Sequence, residues 1–443
     1  MIRAAVRAKL TSIAPGESFV VALSGGRDSV VLLDALAATQ DSRLRGAAHV
    51  HHGLSPNADA WAAFCETLCS ERGIPLSVHR VHVPRAPQTS LESQAREVRY
   101  AALADAARAF GATTVALGHH RDDQAETLLL QLLRGAGPRG LAGMPEMRDD
   151  GRGVRWWRPL LDVSRDDIDA YAVTHALAWI DDESNASTRH ARNAIRHSVM
   201  PALATVAGNA GATLARAAGL QAEAAKLADD LAAIDARDAF DGATLSQAAL
   251  RALPDHRARN LLRWFLHAAG LTAPSAVRLA AMHAQLRVAR VDAVTRLVHA
   301  GAEIGVYRGR VCIHAPAPQH FEVAWDGMED VELPHGCLCI AACEGDGIDA
   351  QRIRGAALVV RSRLGGERMQ TAANRPRRAL KSILQDAGVP PWQRASLPIV
   401  TSGSEVVAVP GIAVDASWQA PKGARGIVMT FVPRAYLRRA QSA

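Results

Sequence analysis

The run Ser24-Gly25-Gly26-Arg27-Asp28-Ser29 holds residue types that handle phosphate. Glycines let a backbone approach an anion closely, and the Ser24 and Ser29 hydroxyls add donors. Asp28 repels bare phosphate, but it fits if a Mg2+ sits between its carboxylate and the phosphates. The competing reading is an ordinary turn capped by Ser and Asp. No G-x-x-x-x-G-K-[ST] string occurs, which excludes a Walker loop. A second group is Gly118-His119-His120-Arg121-Asp122-Asp123-Gln124-Ala125-Glu126. Asp122, Asp123 and Glu126 fall within about one helical turn. One first-turn acid can simply cap a helix, but three acids beside two imidazoles exceed that need. They suit Mg2+ or a cationic substrate, and spacing alone does not choose an ion.

Other groups are less specific. His49-Val50-His51-His52-Gly53-Leu54 offers imidazoles for adenine or phosphate, or is a set of partly exposed loop histidines. Arg96 and Arg99 occupy neighbouring helical positions. They face an anion or belong to a solvated, salt-bridged helix. Arg134 to Met144 is a glycine-rich loop, either approaching a ligand or merely connecting. Asp181-Asp182-Glu183-Ser184-Asn185 leads to Arg192-Asn193-Ala194-Ile195-Arg196. Asn presents the paired donor and acceptor that base edges require, while a turn plus helix cap is the alternative.

The elements that must position these groups alternate. Phe19 to Leu23 reads as a strand, and the pattern turns helical from Val30. Strands are expected at Ala47–His51, Leu76–Val83 and Thr113–Leu117, and helices at Ala60–Arg72, Ser90–Phe110 (capped by Ser90) and Asp122–Arg134. This alternation predicts an α/β fold, a doubly wound parallel sheet with ligands at the strands' carboxyl ends. A small helical region follows at Val163–Ile180. Ala202 to Leu253 reads as one or two long helices, with more at Arg257–Ala269 and Ser275–Val288. Val306–Cys312 and Glu322–Leu333 look strand-like. From Gly355 the chain is mixed: LVVRSR, then RRALKSILQDAGV as a helix, then IVTSGSEVVAVPGIAV as a hairpin.

With 443 residues, two or three domains are expected. A hydrophobic content of 49% with 21% charged residues is globular. The formal charge of +7 favours a polyanionic partner such as nucleic acid. Residues 361–443 carry 13 Lys+Arg against 4 Asp+Glu, a balance of +9 that exceeds the whole chain's. Cys65, Cys69, Cys312, Cys337, Cys339 and Cys343 form no C-x-x-C and show no paired metal-site spacing. They read as structural, reduced thiols in a cytoplasmic protein. No apolar run is long enough for a membrane span.

After a strand, S-G-G-x-D-S resembles the PP-loop of the ATP pyrophosphatases, which cleave ATP between the α- and β-phosphates. The strings SGGRDS, HVHHGL, LESQAREVRY, GHHRDDQAETLLLQLLRGAGPRGLAGM, RPLLDVSR and WIDDESNASTRHARNAIRH span residues 19–201. In this order they look like the tRNA(Ile)-lysidine synthetase family, with RSRLGGERM and RRALKSILQDAGVPPWQR as a weaker match. Arg27 fills a variable slot of the loop.

The resemblance implies a PP-loop catalytic domain over 1–214 and a helical tRNA-binding domain over 215–315. A linker with strands over 316–354 and a basic α+β tRNA-binding domain over 355–443 follow. It implies adenylation of the wobble cytidine of an isoleucine tRNA with a CAU anticodon, then attack by free L-lysine. ATP and Mg2+ are the implied cofactors, with the Mg2+ on Asp28. Ser24, Gly25, Gly26, Arg27, Asp28, Ser29, His51, Gly118 and His119 would bind ATP. Asp122, Asp123 and Glu126 would bind lysine. Asp28, Arg99 and Glu126 would be catalytic, with Glu126 as the base. Arg192, Asn193, Arg196, Arg377, Arg378 and Arg394 would hold tRNA. Related enzymes are often homodimers. A tRNA thiolase lacks its cysteines here, and a small-molecule amidotransferase leaves the basic C-terminal region unexplained. A non-catalytic RNA-binding protein has no need of the acids.

Overall fold

A computed structural model describes the chain except residues 54, 85–90, 152, 182–190, 291–295, 317–318 and 434–443. The expected cap Ser90, Leu54 and the turn Asp182-Glu183-Ser184-Asn185 therefore lie outside the described residues. The chain divides into two units, Met1–Ala228 and Asp229–Ala443.

The first unit runs α1 (Ile2–Lys9), β1 (Phe19–Ala22), α2 (Arg27–Ala37), β2 (Leu44–His51), α3 (Ala58–Glu71), β3 (Leu76–Arg80), α4 (Leu91–Ala109), β4 (Thr114–Ala116), α5 (Arg121–Leu133), α6 (Pro138–Leu141), β5 (Met147–Asp149), β6 (Arg155–Trp157) and α7 (Arg165–Thr174). Its strands form one sheet in the order β3-β2-β1-β4-β6-β5, parallel but for β5. The doubly wound parallel sheet is as expected. The β5–β6 pair is not, because three-residue strands give no readable alternation.

Both faces of the sheet are buried. Phe19 and Val21 join a core with α1, α2, α3 and α7, while Val20 joins a second core under α4. Trp157 and Trp156 divide the same way, edge-on to Phe19 at 5.5 Å and against Tyr100 at 4.4 Å. Side chains lost to solvent on both faces explain why β1 reads as an unbroken apolar run. Each such large apolar side chain contributes about 1.5–3 kcal/mol.

The chain winds outward from β1 through β2 and β3, then returns to β4 on the other side of β1. In doubly wound sheets a crevice forms at such a reversal, which here lies between the carboxyl ends of β1 and β4. Two glycines bring its walls together. A Cβ on Gly118 would stand 3.1 Å from the Asp28 backbone, so the β4 loop touches the start of α2. Gly25 has φ +87°, and a Cβ there would stand 2.6 Å from Ile180 Cδ1. The Ile180 N–H donates to the Gly25 carbonyl at 2.9 Å.

Beyond the sheet, the stretch expected as one or two long helices resolves into Met200–Val206, Ala210–Ala236 and Gln247–Ala252, with Leu245–Ser246 in a strand. In the second unit, helices Asp255–Ala268 and Ala276–Val288 pack on a four-stranded sheet in which Arg310–His314 lies between Leu245–Ser246 and Ala302–Tyr307. The single strand expected over Glu322–Leu333 is two. Glu322–Trp325 pairs with Leu358–Arg361, and Val331–Leu333 pairs with Gly336–Glu344, which pairs with Arg425–Pro433. Gly327, at φ +78°, breaks the run between them. Ile399–Ser402 and Glu405–Val409 form the expected hairpin. The helix Leu380–Asp386 is shorter than expected, because Arg378 and Ala379 pair with Met369 and Arg368. No helix among the described residues is long and apolar enough to cross a membrane.

Gly25→Ala would meet both a left-handed backbone and the Ile180 side chain. It should cost about 1–3 kcal/mol, read as a lower urea midpoint for the first transition. An unchanged midpoint would show that the turn is not so confined.

Candidate active site

The β1–α2 loop is knitted by its own hydroxyls. Ser29 Oγ donates to the Gly26 carbonyl at 2.8 Å and accepts the Ser24 N–H at 3.2 Å. Ser24 Oγ lies 3.0 Å from Ser29 Oγ and accepts the Gly26 N–H at 3.3 Å. Beneath the loop, buried His49 donates from Nδ1 to the Leu23 carbonyl at 2.9 Å. Cys65 Sγ lies 3.5 Å from the same nitrogen, and burial pushes that thiol up to about 12. Arg27 pairs with Asp169 on α7 at 2.9 Å, and its Nε lies 4.0 Å from Asp28. His51 is held by Asp59 at 3.3 Å and Arg80 at 3.3 Å.

Asp28 opens α2, and α5 begins one loop away. His120, with no exposure, stands between them. Its Nε2 lies 3.7 Å from Asp28 and 3.5 Å from Asp123, and its Nδ1 lies 3.7 Å from Asp122. Burial alone would push this imidazole down. The carboxylates of Asp122, Asp123 and Asp28 outweigh burial and hold it above its ordinary 6.5. Burial also raises Asp28, against the pull of His120. Asp28 Oδ1 is buried with no hydrogen-bond partner. A hard cation takes such an oxygen, so this carboxylate fits Mg2+.

The three acids of α5 are not equivalent. Asp122 accepts the Arg165 N–H at 2.9 Å and so caps α7. Burial works against its charge, but His120 and that N–H bring it down to about 2. Asp123 accepts the His120 N–H at 3.0 Å and caps its own helix. Burial would raise Asp123, yet His120 and Arg192 hold it low. Glu126 is 2% exposed and gripped by two guanidiniums: Arg192 Nε at 2.8 Å and Arg196 Nε at 2.6 Å. Both also reach Asp123, at 3.0 and 3.2 Å. Arg196 sits in a π-helical turn, Ile195–Val199, a form often found at functional sites. Asn193, half-buried, lies one turn before it.

Sequence reading therefore found a set that does converge: Asp28, Gly118, Asp122, Asp123, Glu126, Arg192 and Arg196 form one connected network around His120. Glu126, expected to bind lysine and act as the base, pairs with Arg192 and Arg196. Arg192 and Arg196, expected to face RNA, face these acids.

A further group gathers at Tyr100: Arg96 and Arg99 were expected from sequence, Arg99 as catalytic, while Arg148 and Arg158 were not. The Tyr100 ring has Arg96, Arg99 and Arg148 within 4.9, 5.8 and 5.9 Å. Arg96 donates to its hydroxyl at 3.1 Å. Arg158, 2% exposed, bonds the Pro145 carbonyl at 2.7 Å, and its Nε has no partner. Burial lowers Arg158 and Arg99, only partly opposed by Tyr100. His119 is driven by burial down to about 3, with Arg158, Arg192 and Arg96 adding to the effect. Among the described residues, Arg96, Arg99, Arg148 and Arg158 show no salt bridge. Only Arg96 and Arg99 carried a sequence signal, through helical spacing; Arg148 and Arg158 arrive with the short strands.

In the second unit, Arg377 reaches Asp415 at 3.5 Å and Glu405 at 3.7 Å, and Arg378 reaches Asp386 at 2.6 Å. Arg394 donates to the Val389 carbonyl at 2.6 Å.

The PP-loop domain family matches residues 3–203, the TilS substrate binding domain 245–312 and the TilS substrate C-terminal domain 358–431. A tRNA(Ile)-lysidine synthase of Nitrosomonas europaea is 41% identical, over 95% of this chain and 93% of that one. The chain belongs to the tRNA(Ile)-lysidine synthase family. Relatives of the same name from Ralstonia nicotianae (43%, over 90% and 89%) and Azoarcus sp. (39%, over 98% and 96%) agree. Membership makes it a ligase built on a PP-loop domain, and a user of ATP.

The His120–Asp122 pairing has a pH signature. The imidazole's value is raised, so its contribution to stability is complete below 6.5 and fades as pH rises through the raised value. The Asp122 carboxylate is lowered, so its contribution is complete above 3.8 and is lost as pH falls through about 2. The Tm gap between wild type and Asp122→Asn should thus be widest between pH 3.8 and 6.5 and narrow above. A gap independent of pH would refute the pairing.

Proposed function

We propose that the protein ligates free L-lysine to C2 of the wobble cytidine of an isoleucine tRNA with a CAU anticodon, through an adenylated cytidine. The observation that carries this is the short path from Asp28 through His120 to Asp123 and Glu126. It puts the phosphate-side carboxylate and the acids suited to an amine in one buried network.

In the first step cytidine O2 attacks the α-phosphorus, the bond to the β-phosphate breaks and pyrophosphate leaves. The Ser24–Ser29 loop and the N-terminus of α2 cradle the phosphates. Asp28 would hold Mg2+, which offsets the pyrophosphate charge. In the second step the lysine ε-amine, having lost a proton, attacks C2, and AMP departs with O2.

Asp123 and Glu126 are the acids that receive the ammonium. An arriving lysine exchanges with Arg192 and Arg196 on these carboxylates and frees the guanidiniums for RNA phosphate. The exchange brings the ammonium against Glu126, which then takes its proton. The Arg96, Arg99, Arg148 and Arg158 cluster about Tyr100 suits RNA phosphates flanking the cytidine. Residues 1–214 then form the catalytic domain. The regions 215–315 and 355–443 carry the rest of the tRNA, with strands of 316–354 between them.

Two measurements test this. Asp28→Ala should abolish pyrophosphate release in the presence of lysine and tRNA while tRNA binding survives; unchanged ATP use would discredit the loop assignment. Replacing Arg377 and Arg378 with Gln should weaken tRNA binding and reduce the slope of log K against log salt by roughly 0.7–0.9 for each phosphate no longer neutralised. A slope identical to wild type would remove these residues from the RNA interface.

A further inference from the structure

Two thiols and a carboxylate converge on one face of a hairpin in the second unit, far along the chain from the acids of α5. Cys337 and Cys339 stand two apart on the strand Gly336–Glu344, so both side chains leave the same face. Leu338, between them, points the other way into the core. The sulfurs are 3.7 Å apart. Asp330 precedes the partner strand and brings a carboxylate oxygen; the three ligand atoms all lie within 4.8 Å of one another. Asp330 Oδ1 also accepts the Ile340 N–H at 2.8 Å, which fixes the carboxylate as outer hydrogen bonds fix metal ligands. Glu332 is directly opposite Cys337 in the hairpin. Opposed residues share a face, so Glu332 could reach the group by turning its side chain, although its carboxylate lies outside it.

As the chain stands, Cys339 donates its S–H to Cys337 at 3.7 Å, and the separation can be compared with what a disulfide and a bound ion each require. A disulfide requires about 2.05 Å between sulfurs and Cα atoms about 4.4–6.8 Å apart. Positions two apart on a strand are separated by about 6.6–6.8 Å, the far limit of that range. A tetrahedral ion bonded to sulfur at about 2.3 Å holds two sulfurs about 3.8 Å apart. The observed spacing meets the second requirement without movement.

We propose that Asp330, Cys337 and Cys339 form a site for a thiophilic divalent cation, zinc foremost, with Glu332 or water as the fourth ligand. Binding breaks two S–H bonds, forms two metal–sulfur bonds and releases two protons to the buffer; nothing is oxidised or reduced. The ion staples Asp330 to the neighbouring strand, which itself pairs with Arg425–Pro433. Sequence reading found no metal spacing here, because C-x-C is no signature by itself and the acid arrives only through hairpin pairing.

The full-length chain, reduced and stripped with a chelator, is titrated with Zn2+ against a chromophoric competitor and, separately, with Co2+. One equivalent should bind, and Co2+ should give tetrahedral d–d bands with a sulfur charge-transfer band. Cys337→Ser and Cys339→Ser should each abolish the charge-transfer band at one equivalent. Asp330→Asn should weaken binding by about tenfold or more, and Cys343→Ser, on the same strand, should leave it intact. Absence of stoichiometric binding, an octahedral Co2+ spectrum in the wild type, or binding that survives loss of both cysteines overturns the proposal. The wild-type spectrum decides even if a variant fails to fold.

Discussion

His120 has no contact with solvent, and three carboxylates surround it. Asp28, Asp122 and Asp123 crowd a space where like charges repel and burial penalises each. One imidazolium, with Arg192 and Arg196 on the far side, makes the arrangement tolerable. Removing one partner of a buried pair typically costs about 3–5 kcal/mol, because the other charge is left uncompensated. Asp122 and Asp123 also cap α7 and α5, so the charge balance and the helix geometry stand or fall together.

The same crowding gives the site its chemistry. Asp28 keeps one buried oxygen without a hydrogen bond, only the Arg27 guanidinium lying near it at 4.0 Å. Arg192 and Arg196 pair with both Glu126 and Asp123, so the two acids share the same two guanidiniums. None of this would meet the β1–α2 loop without Gly118, whose missing side chain lets the β4 loop lie against the start of α2.

The α/β alternation, the glycine loop and the acids of α5 were legible because they rest on local patterns: β-branched runs, turn chemistry and helical spacing. The centre of the network was less so. His120 read as one of two imidazoles; only the approach of α2 to α5 makes it the hub. The partners of Glu126 were not legible, because the arginines that hold it come 66 and 70 residues later. The cluster at Tyr100 depends on β5 and β6, each too short to leave a period. Likewise Glu322–Leu333 read as one strand, since nothing but Gly327 marks the division between two sheets.

β5 has one more consequence. A sheet that ends on a long, apolar strand invites stray chains to add to it. This one ends on three residues, Met147, Arg148 and Asp149, the last two exposed and of opposite charge. Such a border offers few free amides and no greasy surface, so unrelated strands find little to zip onto. The guanidinium that guards this margin is also one of those gathered about Tyr100, so colloidal safety and affinity for polyanions draw on a single side chain.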